Sequence, residues 1–495
     1  MEPILVPGRN CWRIEHCERA SVIIDAAAYY RHIRKAMAAA KQRILIIGWD
    51  FDTRTLLEPT VRQDETLGPF FLDLAKKDPA RRIDILKWSF GAKKQFLHPA
   101  AAWMLWRWAL TKAIEFRFDA AHPPGCSHHQ KIVVLDDKLA VCGGIDIATA
   151  RWDTPDHDDD NPYRRLPDGK SYPPWHDVTM MLTGKVASAL GQLGIDRWLQ
   201  ATSRKLEPIP ENGQRLWPDD LKVHFENVDI GIARTRAKYQ DLPEIREIEA
   251  LYLDMVCSAQ RFVYIENQYF TSAKIAGAIA KRLEEPDPPE FVLVMPRSAD
   301  GWLEQMAMDA ARIRLVRQIA KKDIRKRFRI FVPVTEKGTD IYVHAKVAIV
   351  DDRLLRIGSS NLNNRSLGLD SECDVIIDAA LGSSQHVSRT IAHLRNTLLA
   401  EHLGSEPDTV AETLTECGSL LATIEKLRGQ GRTLEELDLV APGPLEEYLA
   451  ENEVLDPENA DAFLEPMSQR GLKKHWFQGL SWMRRSMKRS PKGPA

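Results

Sequence analysis

His129 and Lys131 in the stretch HHQKIVVLDD, and His344 and Lys346 in YVHAKVAIVDD, are the side chains of this 495-residue sequence best placed to do chemistry together. In both stretches an aspartate, Asp136 or Asp351, follows the lysine at the same spacing, and a second aspartate comes next. Successive strand residues point to opposite faces, so His129 shares a face with Lys131 while Gln130 takes the other. One copy alone reads as a strand entering a core with a satisfied histidine at its mouth. His128-His129 is not read as a zinc pair, because adjacent strand residues diverge and no CxxC or HExxH partner accompanies them. Two copies change the reading, since two lysines and two imidazoles lining one cleft make a site for an anion.

A phosphodiester fits such a site. The lysines neutralise its single charge, and side-chain donors such as Asn361 and Ser359 add hydrogen bonds. One neutral imidazole attacks phosphorus while the other, protonated, gives a proton to the departing alcohol and later takes one from the acceptor. Each ring needs a carboxylate behind its far nitrogen to fix its tautomer. Asp177 in WHDVTM and Glu372 in LDSECD, with Asp370 close by, are the candidates, although a lone acid is by default a surface charge. The lysines serve as the charge sink, so the scheme calls for no metal and no cofactor. Gly143-Gly144 and Gly358 are expected to allow tight turns beside the site, since no GxxxxGK[ST] or strand-bound GxGxxG appears. A G-x-S-x-G elbow is also absent, which argues against a serine hydrolase.

The elements that must carry these residues repeat as well, which points to duplication of a whole unit. RILIIGWDFD (43–52) precedes the first copy and RFVYIENQYF (261–270) the second. Between each and its histidine lie further strand-like runs, IDILKW and FRF in the first half, FVLVM and FRIFVPV in the second, separated by helix-like stretches. Each half reads as β-α-β-α-β. Downstream, VCGGIDIATARWD and RIGSSNLNNRS occupy matching places. The segment 408–449 has helical periodicity and reads as a carboxyl-terminal helical appendage, and LDPENADAFLEP (455–466) reads as an acidic surface segment.

Composition bounds the rest. Apolar content of 44%, charged content of 28% and a formal charge of −2 describe a globular protein with no global attraction to a nucleic acid backbone. The seven cysteines have no metal or redox spacing and fit a reduced interior. No secretory signal is read at the amino terminus, and no apolar run is long enough to span a bilayer, so the expected location is cytoplasmic with peripheral membrane association. In KKHWFQGLSWMRRSMKRS near the end, Trp476, Leu480, Met483 and Met487 share a helical face and six basic residues flank them, a combination suited equally to an anionic lipid surface and to a solvated tail.

The pattern HxKxxxxD twice, with GGIDIATARWD after the first, IENQYF before the second, then GSSNLNNRS and DSE, resembles the phospholipase D superfamily. Within it, the sequence is similar to the eukaryotic-type and bacterial cardiolipin synthase-like branch rather than to the short nucleases. The resemblance runs from about Gly48 to about Ile377. It implies an α/β fold of two tandem α-β-α sandwich domains related by a pseudo-two-fold, spanning 1–205 and 206–400, with residues 401–495 as the appendage. It implies His129 as nucleophile, His344 as general acid and base, and Lys131, Lys346 and Asn361 as phosphate ligands. Asp177 and Glu372 become the acids that orient the histidines. Asp136 and Asp351 count with the catalytic motifs but in that family mainly support local structure. Asp146 takes the place of Asn361 in the first half, so the half-sites are not equivalent. The implied reaction is headgroup hydrolysis of a phospholipid to phosphatidic acid, or transfer of the phosphatidyl group to another alcohol as in cardiolipin synthases. A phospholipid surface is the expected partner and a monomer the expected unit. The rivals are a nuclease-type phosphodiesterase, disfavoured by the near-neutral charge and the lack of a basic, aromatic-lined stripe, and a catalytically dead lipid-binding scaffold.

Overall fold

The computed structural model describes residues 2–89, 99–210, 213, 215–299, 302–382, 385–429, 431–438 and 456, with side chains from 308 onward in the helix that begins at 302. The basic amphipathic stretch near residues 473–489 lies outside the described residues.

The branched apolar runs become strands. In the first half these are β1 (Arg13–Ile24), β2 (Arg43–Gly48), β3 (Arg82–Trp88), β4 (Ile114–Asp119), β5 (Ile132–Leu135), β6 (Leu139–Gly143), β7 (Trp175–His176) and β8 (Val178–Gly184). The second half supplies β9 (Phe225–Arg236), β10 (Ile245–Arg246), β11 (Phe262–Glu266), β12 (Glu290–Val294), β13 (Phe328–Val334), β14 (Tyr342–Val343), β15 (Val347–Val350), β16 (Leu354–Gly358) and β17 (Glu372–Asp378). A last strand, β18 (Thr433–Glu436), pairs antiparallel with β13.

These form a 16-stranded sheet ordered β18-β13-β12-β11-β15-β16-β17-β9-β1-β8-β6-β5-β2-β3-β4, with β10 attached to β9. Outward from the central antiparallel β1–β9 pair the order repeats, β8-β6-β5-β2-β3-β4 on one side and β17-β16-β15-β11-β12-β13 on the other. The duplication is therefore a pseudo-two-fold, and the two halves share one continuous ladder. Only β2-β3-β4 and β11-β12-β13 are parallel in each half. Parallel neighbours need crossovers, and helices supply them: α2 (Leu67–Lys77) and α3 (Pro99–Ala109) in the first half, α6 (Ala273–Leu283) and α7 (Trp302–Ala320) in the second. α1 (Ala26–Ala39) and α5 (Glu247–Ser258) follow β1 and β10.

Three cores result. One lies on the outer side of each half, under its crossover helices. The third is shared: Val134, Cys142 and Met180 of the first half meet Val347, Ile357 and Val375 of the second, with α4 (Lys185–Thr202) and α8 (Gln385–Leu403) joining it. β6 lies against β16 and β17, and Cys142 Sγ donates to the Cys373 carbonyl across that boundary at 3.4 Å.

Beyond α8, α9 (Pro407–Cys417) and α10 (Leu420–Leu427) are helical as the periodicity indicates, but residues 433–436 are not. They extend the sheet, because β13 would otherwise present an unpaired edge. Asp456, read from sequence as part of an acidic surface segment, is buried instead. Its carboxylate accepts the Arg365 and Asn364 backbone N–H groups at 2.8 and 3.1 Å and caps the π-helical turn Arg365–Leu369.

Candidate active site

Each histidine is brought to the cleft by a strand whose mouth is laced to the other half. The Ser371 N–H donates to the Ser127 carbonyl and the His129 N–H to the Ser371 carbonyl, both at 2.9 Å. In the mirror arrangement β14 pairs with β7, and the His344 N–H donates to the His176 carbonyl at 2.8 Å. Ser371 immediately precedes Glu372 and His176 immediately precedes Asp177, so the lacing hands each imidazole to an acid of the opposite half. His129 Nδ1 lies 2.9 and 3.1 Å from the two Glu372 oxygens, and His344 Nδ1 lies 2.7 Å from Asp177 Oδ2. With Nδ1 occupied as donor, Nε2 of each ring carries the free lone pair. The imidazole side chains keep 13% and 8% of their surface exposed, which leaves that edge reachable.

The two rings share one electrostatic environment. Burial pushes both imidazoles well below their usual range, and Lys131 and Lys346 add to the shift on each, so both rest neutral at pH 7. Burial raises Asp177 to about 6 and Glu372 well above the carboxylate range. Burial lowers Lys346 to about 7.

The lysines are not equivalent. Lys131 Nζ sits 3.0 Å from Asp146 Oδ2 and donates to the His129 carbonyl at 3.1 Å. Lys346 Nζ donates to the His344 carbonyl and to Gln268 Oε1 at 3.3 Å. Asn361 Oδ1 is buried without a hydrogen-bond partner. Trp49 packs on His129 at 6.0 Å and Trp175 on His344 at 5.2 Å between ring centroids, walling the cleft.

Two expectations, for Ser359 and for the glycines, change here. Ser359 does not offer its hydroxyl to a substrate: it is fully buried and donates to Glu372 Oε2, while Ser366 donates to Oε1 at 2.7 Å. Both serines therefore hold the acid that holds His129. Asp136 and Asp351, counted with the catalytic motifs, support local structure as the resemblance implies. Asp136 accepts the backbone N–H groups of Lys41, Gln42 and Arg43, each at 2.8 Å, and Asp351 those of Gln260, Arg261 and Phe262 at 2.9, 2.8 and 3.0 Å. Each pins the start of the neighbouring strand, β2 or β11. The glycines make room rather than turns. A Cβ on Gly144 would lie 2.0 Å from Asp177 Oδ1, and one on Gly358 would lie 1.9 Å from Asp374 Oδ1.

Residues 252–395 match the family model described as "Cardiolipin synthase, PLD-like domain". Phospholipase D1 of Saccharomyces cerevisiae is 27% identical over 57% of the chain, and Phospholipase D1 of Schizosaccharomyces pombe 24% identical over 79%. Over residues 252–395 the chain thus carries a phospholipase D-like domain, and these relatives are phospholipases D. The chain spans 22% and 36% of the lengths of those two relatives. The crystal structure of phosphatidylserine synthase from Haemophilus influenzae Rd KW20 superposes with a TM-score of 0.56 at 14% identity, covering 89% of this chain and 95% of that one, and so shares the fold.

Sequence reasoning missed several residues of this phospholipase D-like site. Gln268 and Arg151 stand inside motifs that were quoted, IENQYF and ATARWD, but nothing local marks which polar residue of a strand end turns inward. Arg151 lies 4.2 Å over the Trp175 ring and adds positive potential at His344 and Lys346. Ser366 closes the motif GSSNLNNRS, but nothing local shows that its hydroxyl turns to Glu372, six residues on.

Proposed function

We propose that the protein is a phospholipid phosphodiesterase or phosphatidyl transferase working through a covalent phosphohistidine. The observation that carries this reading is the crossed pair of histidine–acid contacts, His129–Glu372 and His344–Asp177, around two lysines. Nε2 of His129 attacks phosphorus as the bond from phosphorus to the headgroup oxygen breaks, and His344 delivers a proton to that oxygen. His344 then takes a proton from water or an acceptor alcohol, whose oxygen attacks phosphorus and breaks the bond to His129. Lys131, Lys346 and Asn361 hold the nonbridging oxygens.

The division of labour rests on the acids. Asp177, at about 6, is ionised at pH 7 and can hold an imidazolium on His344, whereas burial drives Glu372 further toward its neutral form. Both rings are held neutral partly by the lysines, and an entering phosphodiester anion offsets that repulsion and lets His344 take its proton.

A lipid rather than a nucleic acid partner is supported by the relatives named phospholipase D and by one helix face. Trp103, Trp106 and Leu110, on and just beyond α3, are 54%, 59% and 67% exposed at helical spacing. Among the described residues no helix is long and apolar enough to cross a membrane; the contact we propose is peripheral, and the setting we propose is cytoplasmic. The whole site comes from one chain, which supports a monomer as the active unit. Transfer to an alcohol, as in cardiolipin synthesis, is the second reading, favoured by the description of the matching family model.

Product analysis on mixed phospholipid vesicles with and without glycerol separates hydrolysis from transfer. Wild type should release headgroup, His129→Ala should not, and His344→Ala should lose turnover yet accumulate phosphorylated His129 by mass spectrometry. Equal rates in wild type and His129→Ala would overturn the mechanism, and an adduct on His344 would exchange the roles.

A further inference from the structure

Behind the His344–Asp177 pair lies a second group of histidines and carboxylates that the phosphoryl chemistry does not use. Asp25 at the start of α1, His157 in the loop after β6, and His176 on β7 are fully buried, and Glu401 near the end of α8 is 7% exposed. Glu401 Oε1 lies 2.6 Å from His176 Nδ1 and 3.1 Å from His157 Nε2. Asp25 Oδ1 lies 3.3 Å from His176 Nδ1 and Asp25 Oδ2 lies 3.6 Å from His157 Nε2. A tetrahedral ion with nitrogen and oxygen ligands at about 2.0–2.1 Å sets its donors about 3.3 Å apart; the 3.1, 3.3 and 3.6 Å separations match that spacing, and the 2.6 Å Glu401–His176 contact is a hydrogen-bond distance that a bound ion would widen.

Two independent observations point to an ion there. The far nitrogen of each ring is anchored by a carboxylate: His157 Nδ1 lies 2.9 Å from Asp153 Oδ2, and His176 Nε2 lies 2.8 Å from Glu266 Oε2. Those acids are themselves fixed, Asp153 by Arg164 at 3.1 Å and Glu266 by the Tyr264 hydroxyl at 2.6 Å. Metal-bound histidines are held in this way, with the outer N–H donated to an acid and the inner lone pair aimed at the ion. The second observation is Asp25 Oδ2, a fully buried carboxylate oxygen with no hydrogen-bond donor, aimed into the group. Asp25 and His157 also sit at φ values of 62° and 48°, left-handed backbone that non-glycine residues adopt only when their surroundings hold them there.

We propose that Asp25, His157, His176 and Glu401 bind a structural divalent ion of the zinc type. Two imidazoles and two carboxylates favour zinc over calcium or magnesium, which take oxygen ligands. Four protein donors leave no open position, so the ion ties elements together and touches no substrate. It would join the start of α1, the loop carrying His157 and the end of α8 to β7, whose His176 carbonyl accepts the His344 N–H and whose next residue is Asp177. Its role is positioning, and it stands or falls independently of the substrate class and of the lysine-based charge scheme.

The test is made on the full chain, purified without a metal-affinity tag or chelator. Elemental analysis should find about one zinc per chain in wild type and in His129→Ala, and at least tenfold less in His157→Gln. Wild type stripped with a strong zinc chelator should regain melting temperature on adding zinc, and cobalt should give the visible absorption bands of a tetrahedral site. The proposal is overturned if wild type is metal-free as purified and shows neither cobalt bands nor a melting shift with zinc. It is equally overturned if His157→Gln keeps full zinc. The wild-type measurements decide the matter even where the variant does not fold.

Discussion

His344, Asp177 and Lys346 fix the pH range in which the free protein can act. Asp177 is raised by burial to about 6, so its charge is present above that value and lost as pH falls through it; the partner of the His344 imidazolium disappears with it. Lys346 is lowered by burial to about 7, so its positive charge is present below that value and lost as pH rises. The profile of kcat/KM, which reports the free protein, should therefore be bell-shaped, falling on the acid side near 6 and on the alkaline side near 7. Lys346→Arg should carry the alkaline limb upward by more than one pH unit, because a guanidinium stays charged through this range. A limb that does not move with this substitution would remove Lys346 from its role.

Strand starts explain why Asp136 and Asp351 follow each histidine–lysine pair. A strand that ends in a left-handed residue, at φ 50° and 52° respectively, turns its aspartate back to collect three backbone N–H groups at the start of β2 or β11. Unmade hydrogen bonds of this kind cost about 1–3 kcal/mol each when the donors stay buried. Asp351→Ala should lower unfolding free energy by roughly 3 kcal/mol in urea titration, since the Phe262 N–H stays buried while the Gln260 and Arg261 donors are only partly buried and water replaces those contacts. Activity per folded molecule at low temperature should stay near wild type, because this carboxylate does not reach the cleft. A loss of activity at full stability would instead place Asp351 in the chemistry.

At the scale of the whole molecule, the site exists only because the sheet is continuous through β1 and β9 and the two halves close over a common core. The exposed Trp103–Trp106–Leu110 face belongs to the same scale, since it sets how the molecule meets its partner. Trp103→Ala combined with Trp106→Ala should weaken binding to anionic phospholipid vesicles by roughly thirtyfold in sedimentation assays, while cleavage of a soluble short-chain substrate is retained. Each exposed tryptophan lost contributes on the order of 1 kcal/mol at a membrane interface by its buried apolar area. Unchanged vesicle binding would move the membrane contact elsewhere on the surface.

The repeat, its strands and its paired histidines and lysines were legible in the sequence because period-two apolar runs and a duplicated spacing are local features. Asp177 and Glu372 could be chosen as candidates for the same reason. Which acid serves which histidine was not legible, because His129 meets Glu372 and His344 meets Asp177 through the lacing of residues 127–129 with 371 and of β14 with β7, contacts between segments far apart in the chain. The same holds for Ser359, whose hydroxyl turns to Glu372, for Asp456, which folds back onto Asn364 and Arg365, and for β18, which finds the edge of β13. Local sequence determined which groups this protein could bring to a phosphate. The folded sheet alone decided which of them face one another, because hydrogen-bond partners and burial are set by neighbours in space and not by neighbours in the chain.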